Sequence, residues 1–110
     1  MFEILADSIF HIPGQGTVLA GHIRSGQVKV GDKVEVCSPS KSVSLRVAGL
    51  ERIGTREMLS SAQTGEEVGV LIRGLSLEQV EDGVRRVEPL VWQVVSLTLR
   101  GTSRPWWKLW

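Results

Sequence analysis

The sequence predicts an all-β fold, a barrel or sandwich of short strands. Apolar and polar residues alternate at period two in run after run, the mark of half-buried strands. Turn signals separate these runs about every 8–12 residues, the spacing of small β architectures. The chain has twelve glycines and no asparagine, so turns that need positive φ fall on glycine.

The stretch FHIPGQGTVLAGHIRSG, Phe10 to Gly26, opens the pattern. Gly14 and Gly16 read as a turn, and Gly21 as a close backbone approach inside a strand. VKVGDKVEV, Val28 to Val36, is two alternating runs joined at Gly31-Asp32, a hairpin or bend. SVSLRVAGL alternates from Val43 through Val47 and then meets Gly49, a candidate bulge. EEVGVLIRG sets Val68, Val70 and Ile72 on one face and Glu67, Gly69, Leu71 and Arg73 on the other. In SLEQVEDG, Ser76 and Gln79 have the spacing of a capping box and Gly83 ends a short helix. VSLTLR alternates again from Val95 to Arg100. The expected core is Ile4, Ile12, Leu19, Ile23, Val34, Val36, Leu45, Val47, Val68, Val70 and Ile72. One domain is expected over residues 1–100, followed by a tail over 101–110.

Several functions are disfavoured by the residues. A phosphate loop needs Lys and a hydroxyl directly after its second glycine. Gly16 to Gly21 has the glycine spacing, but His22 and Ile23 follow. After Gly26 to Gly31 comes Asp32, which would repel a phosphate. Without asparagine, the guanine-recognition loop of GTPases cannot be present. His11 and His22 read as surface histidines, and no metal or cofactor is expected. The lone Cys37 excludes an internal disulfide and reads as a small buried hydrophobe. Glu66, Glu67, Glu78, Glu81 and Asp82 read as solvated turn charges. The net charge of +1 confines any nucleic-acid binding to a local patch. MFEILADSIF lacks the basic start of a signal peptide, and LVWQVVSLTL falls well short of the roughly 18–20 residues of a membrane span. The expectation is a non-enzymatic, cytoplasmic protein.

FHIPGQGTVLAGHIRSGQVKVGDKVEV resembles the second domain of elongation factor Tu and related translation GTPases. That domain opens with Phe-x-Ile-x-Gly-x-Gly-Thr-Val and continues to a Ser-Gly turn and a Val-Gly-Asp segment. AGLE, Ala48 to Glu51, and TGEEVGVLIRGLSLEQVEDG, Thr64 to Gly83, continue the likeness in order. The resemblance implies a six-stranded closed barrel. It also implies a GTPase partner domain rather than GTP hydrolysis by this chain.

In elongation factor Tu this domain holds the aminoacylated 3′ end of tRNA. Position by position, the resemblance carries that role to Asp7, Phe10, Val18, Glu51 and Leu71, with Glu67 beside the aminoacyl group. Val18 shares its strand face with His22 and Arg24, and Leu71 with Glu67 and Arg73. Both are apolar residues on polar faces, as a shallow surface site requires. The chain departs from the family at Gln15, where Arg is common, and at Glu67, where the family has Asn. It departs also around Gly54, in a longer loop lacking the family's basic residue, for which Arg52 or Arg56 could substitute.

The reading is therefore a binding module that contacts tRNA, the ribosome or a translation-related partner such as a GTPase-type factor. One alternative is a protein-interaction or structural barrel without RNA binding. The other is a peripheral membrane-associated domain, and it rests on the tail RGTSRPWWKLW. Trp106, Trp107 and Trp110, with Arg104 and Lys108, form a large apolar load with basic flanks. Such a segment folds back on its own barrel beside Trp92, docks into a partner or a second copy, or enters a membrane interface. Trp106, Trp107, Lys108 and Trp110 are its contact candidates.

Overall fold

A computed structural model describes residues 2–88 and 91–101. Eleven strands and one 3-10 helix follow in order: β1 (Glu3–Ile12), β2 (Gly16–Ser25), β3 (Gln27–Lys29), β4 (Lys33–Cys37), β5 (Ser42–Arg52), β6 (Met58–Leu59), β7 (Ser61–Gln63), β8 (Glu67–Ile72), the helix (Leu77–Gly83), β9 (Val84–Glu88), β10 (Val91–Val94) and β11 (Leu97–Gly101). The principal sheet runs β4-β11-β1-β2-β8-β5-β6, and β4 also pairs with β5. That pairing closes six antiparallel strands into a barrel, as expected, with β6 appended to β5. Closure pairs Val34 with Leu45 and Val36 with Val43, so these apolar side chains face inward together.

Nine of the eleven expected core residues are buried; Ile12 and Leu45 are half-buried. The interior also takes Phe2, Ile9, Val28, Leu50, Leu97 and Leu99. Gly31-Asp32 makes a bend, not a hairpin. β3 leaves to pair with β7, and β4 pairs with β11 and β5. Asp32 fixes the bend: its carboxylate accepts from the Lys29 amide at 2.9 Å, and its carbonyl accepts from the Val47 amide at 2.9 Å. Gly31 has φ +95°, which a β-branched residue could not adopt without strain.

The expected short helix is present as a 3-10 helix, broken at Val80, whose side chain is fully buried. Gln79 Oε1 accepts from the Ser76 amide at 2.9 Å, one half of the capping box foreseen from the spacing. The strand expected from Val95 begins only at Leu97. The Val95 and Ser96 amides both donate to the Gly83 carbonyl, at 2.8 and 3.0 Å. A Cβ on Gly83 would stand 2.5 Å from the Ser96 carbonyl oxygen, a backbone atom that no rotamer change moves, so only glycine permits this packing.

Three readings of polar residues change. Cys37 is half-buried, not buried, and burial holds its thiol above its ordinary pKa. That keeps it protonated, the opposite of what a nucleophile needs. Glu66 is half-buried, with a buried Oε2 that has no hydrogen-bond partner among the described residues. Asp82 is exposed but bonded across the chain. It accepts from Ser38 and Ser40 hydroxyls and from the Ser40 amide, the last at 2.6 Å. The Ser38 hydroxyl bond leads these in holding Asp82 at a pKa of about 2, below its usual 3.8.

The Asp82 shift predicts a pH response. A depressed folded-state pKa contributes stability that is whole above the unfolded pKa and is lost as pH falls through the folded one. Stability should therefore fall between pH 3.8 and about 2. Asp82→Ala should flatten that part of the profile in thermal melts. An unchanged slope would show that the bonds do not form in solution.

Candidate nucleic-acid interface

The outer surface of β1, β2, β8 and β5 is set by register. Phe10 stands opposite Val18, Val18 opposite Leu71, and Leu71 opposite Gly49. In the next row Ser8, Ala20, Gly69 and Glu51 align. Even-numbered residues of β2 and odd-numbered residues of β8 point outward, so Val18 and Leu71 meet on the outside.

Glu51 reaches that face through a bulge. Up to Val47 the odd residues of β5 point inward; the register then slips between Val47 and Gly49. One extra residue, Ala48, reverses the alternation. Leu50 turns into the core at 1% exposure, and Glu51 turns outward.

Two missing side chains hollow the surface here. A Cβ on Gly69 would stand 3.0 Å from Val18 Cγ1, and one on Gly49 would touch Leu71 at 3.6 Å. The result is a depression of about 80 Å³ with Val18, Leu71 and Met58 as apolar walls and Gln15 and Glu51 as polar members. This is far below the roughly 300 Å³ at which small-molecule pockets begin, so it suits one end of a larger partner. Glu51 is not left as a bare anion: Arg56 Nε lies 3.4 Å from its Oε1. Arg56 is the single non-glycine residue with positive φ among those described, at +61°, in the tight loop that follows Gly54. Of the two arginines named as stand-ins for the family's basic loop residue, Arg56 is the one beside Glu51; Arg52 Nε lies 3.9 Å from Glu57.

The structure divides the candidate residues. Val18, Glu51 and Leu71 share the depression. Glu67 lies one row further along β8, paired with His22 at 3.1 Å. Asp7 and Phe10 face a different hollow, between β1 and β10, with Trp92. Asp7 is the extra residue of a second bulge, where the register slips between Ala6 and Ser8. Trp106, Trp107, Lys108 and Trp110 lie outside the described residues. Met58 was missed from sequence; its signal, an apolar residue after a polar loop, does not stand out from ordinary surface methionines. Among the described residues no three His, Cys, Asp or Glu side chains gather as a metal site.

The family model for elongation factor Tu domain 2 matches residues 16–84. Among solved structures, the chain is similar to translation elongation factor SelB from Methanococcus maripaludis in its apo form. The TM-score is 0.69 and the identity 29%, over 94% of this chain and 19% of that one. The chain therefore spans less than a fifth of the length of that factor.

Proposed function

The chain belongs to the elongation factor Tu domain 2 family, and from that membership we propose that it is a non-catalytic, cytoplasmic module that receives the 3′ end of a tRNA. The supporting observation is the convergence of Val18, Leu71 and Glu51 on one depression, from three strands. Apolar walls offer stacking area to a base, and a carboxylate at the rim can accept from a base amino group or a ribose hydroxyl. The Arg56 guanidinium beside Glu51 moderates the repulsion that a lone carboxylate would exert on the RNA backbone.

Leu71→Ala and Glu51→Ala should each weaken tRNA binding by about 1–3 kcal/mol, the range for losing a base contact. Anisotropy of a labelled tRNA at two salt concentrations, with circular dichroism as the folding check, measures this. Phosphate contacts fade steeply with salt, so the wild-type affinity should too. Wild-type protein that retains neither tRNA nor ribosomes at low salt would instead make this a protein-interaction barrel.

A further inference from the structure

The outer face of β4, β5 and β8 carries three cations side by side. Lys33 stands directly opposite Arg46 where β4 pairs with β5. On the other edge of β5, Val47 stands opposite Ile72, so the same register sets Arg46 opposite Arg73. That register holds to the next pair, since a Cβ on Gly74 would lie 3.9 Å from Leu45 Cδ2. All three charged residues are exposed. Like charges directly opposite each other destabilise a sheet. Carboxylates do not relieve them: no ion pair among the described residues includes Lys33, Arg46 or Arg73. Asp32 turns its carboxylate to the Lys29 amide, and Glu35 pairs with Arg100 at 3.5 Å. Arg46 donates to the Gly31 carbonyl at 3.0 Å, which positions its guanidinium but leaves its charge. A row of cations without counter-charges suits a polyanion.

We infer that Lys33, Arg46 and Arg73 form a track for the phosphates of an RNA strand whose last nucleoside sits in the depression beside Leu71. The inference rests on the reading of that depression as an RNA site. The three cations span two strand spacings, about 10 Å, and the row meets the depression at one end. Arg73 follows Leu71 by two residues on the outward side of β8, about 7 Å along the chain. Gly16 lies beside Arg73, where a Cβ would stand 3.2 Å from Arg73 Cα, so no side chain rises there between Arg73 and Val18. Gln15 lines the same end of the depression and carries no charge, which leaves Arg73 as the cation at this rim.

Charge changes sign across the depression. Glu51 lies one row beyond Leu71, away from Arg73, and Glu67 lies one row further. Arg56 offsets Glu51 in part, while no Lys or Arg among the described residues pairs with Glu67. A strand on this surface has its phosphates drawn to the Arg73 side and repelled from the Glu67 side. The seated nucleoside is then the end of the strand, with hydroxyls rather than a phosphate toward Glu51. Stacking holds that end, and the track supplies the salt-dependent share of the binding.

The test measures anisotropy of an internally labelled tRNA with the full chain, plotting log affinity against log salt. Lys33→Gln and Arg73→Gln should each reduce the steepness of that plot by about 0.7, the loss of one phosphate contact to a single strand, and the double variant by about twice that. Arg24→Gln removes the same charge from β2, beyond His22, and should leave the slope unchanged. All three positions are exposed, so far-UV circular dichroism should not change, and either track variant suffices if the other fails to fold. Unchanged slopes in both track variants overturn the inference. So does an equal reduction for Arg24→Gln, which would be the mark of overall charge alone. A tRNA trimmed of its 3′-terminal nucleotide separates the track from the depression. Weaker binding on trimming, with slopes the track variants leave intact, overturns the track alone. No loss on trimming, with slopes still reduced by the variants, overturns the depression reading and with it the path drawn here. Wild-type protein that retains no tRNA at low salt overturns both.

Discussion

Leu19→Ala is expected to destabilise the barrel by about 2–5 kcal/mol, out of a total of roughly 5–15 kcal/mol for a domain of this size. Leu19 is wholly buried, on the strand between β1 and β8, with Ile9 opposite on one side and Val70 on the other. Truncation removes buried methyl groups and leaves a void that three hydrogen-bonded strands cannot collapse to fill. Urea denaturation measures the loss, which should appear as a lower midpoint at unchanged slope. A cost under about 1 kcal/mol would place this side chain outside any tightly packed interior.

Gly21→Ala is expected to cost as much as the roughly 1–3 kcal/mol typical of overpacking, or more. An added Cβ would meet Leu5 O at 2.5 Å and Ala6 Cα at 3.3 Å. These are backbone atoms of the paired strand, so no rotamer change relieves the contact, and β1 itself must shift. Gly14→Ala is the control. Among the described residues nothing lies within 4 Å of its Cβ, so only its φ of +79° is penalised. That penalty is about 1–2 kcal/mol. The denaturation midpoint should therefore fall further for Gly21→Ala than for Gly14→Ala; the reverse order would rule out the close approach.

Gly21 was legible in the sequence as a close backbone approach, because a glycine inside an alternating run has few other uses. The inward faces of β2, β4 and β8 were legible from apolar residues two or four apart: Leu19 and Ile23, Val34 and Val36, and Val68, Val70 and Ile72. The β9–β10 arm was not. VRRVE buries only its first residue, so its pattern is that of a surface loop. β6 and β7, of two and three residues, are too short to show a period. At the candidate site, Val18 and Leu71 stood out as apolar residues on polar faces. The outward turn of Glu51 depends on a bulge whose position Gly49 hinted at, and the likeness to the family pointed to that residue more directly than the alternation did. That Asp7 and Phe10 face the other hollow was hidden, because it follows from the path of an arm that the pattern does not show.

The bulge in β5 also divides the labour of a single strand. Residues 42–46 pair with β4 and carry the seam that closes the barrel. Beyond the slipped register, residues 49–52 pair with β8 and present Glu51 beside Leu71. The two halves obey opposite alternations, so a substitution on the outer face of one leaves the inward set of the other untouched. If the depression receives RNA as proposed, positions 49 and 51 can change its lining while the seam holds its composition. A strand of unbroken alternation would not separate the two kinds of change so cleanly. In this barrel, innovation at the surface and integrity of the closure are inherited from the same eleven residues but can be selected apart.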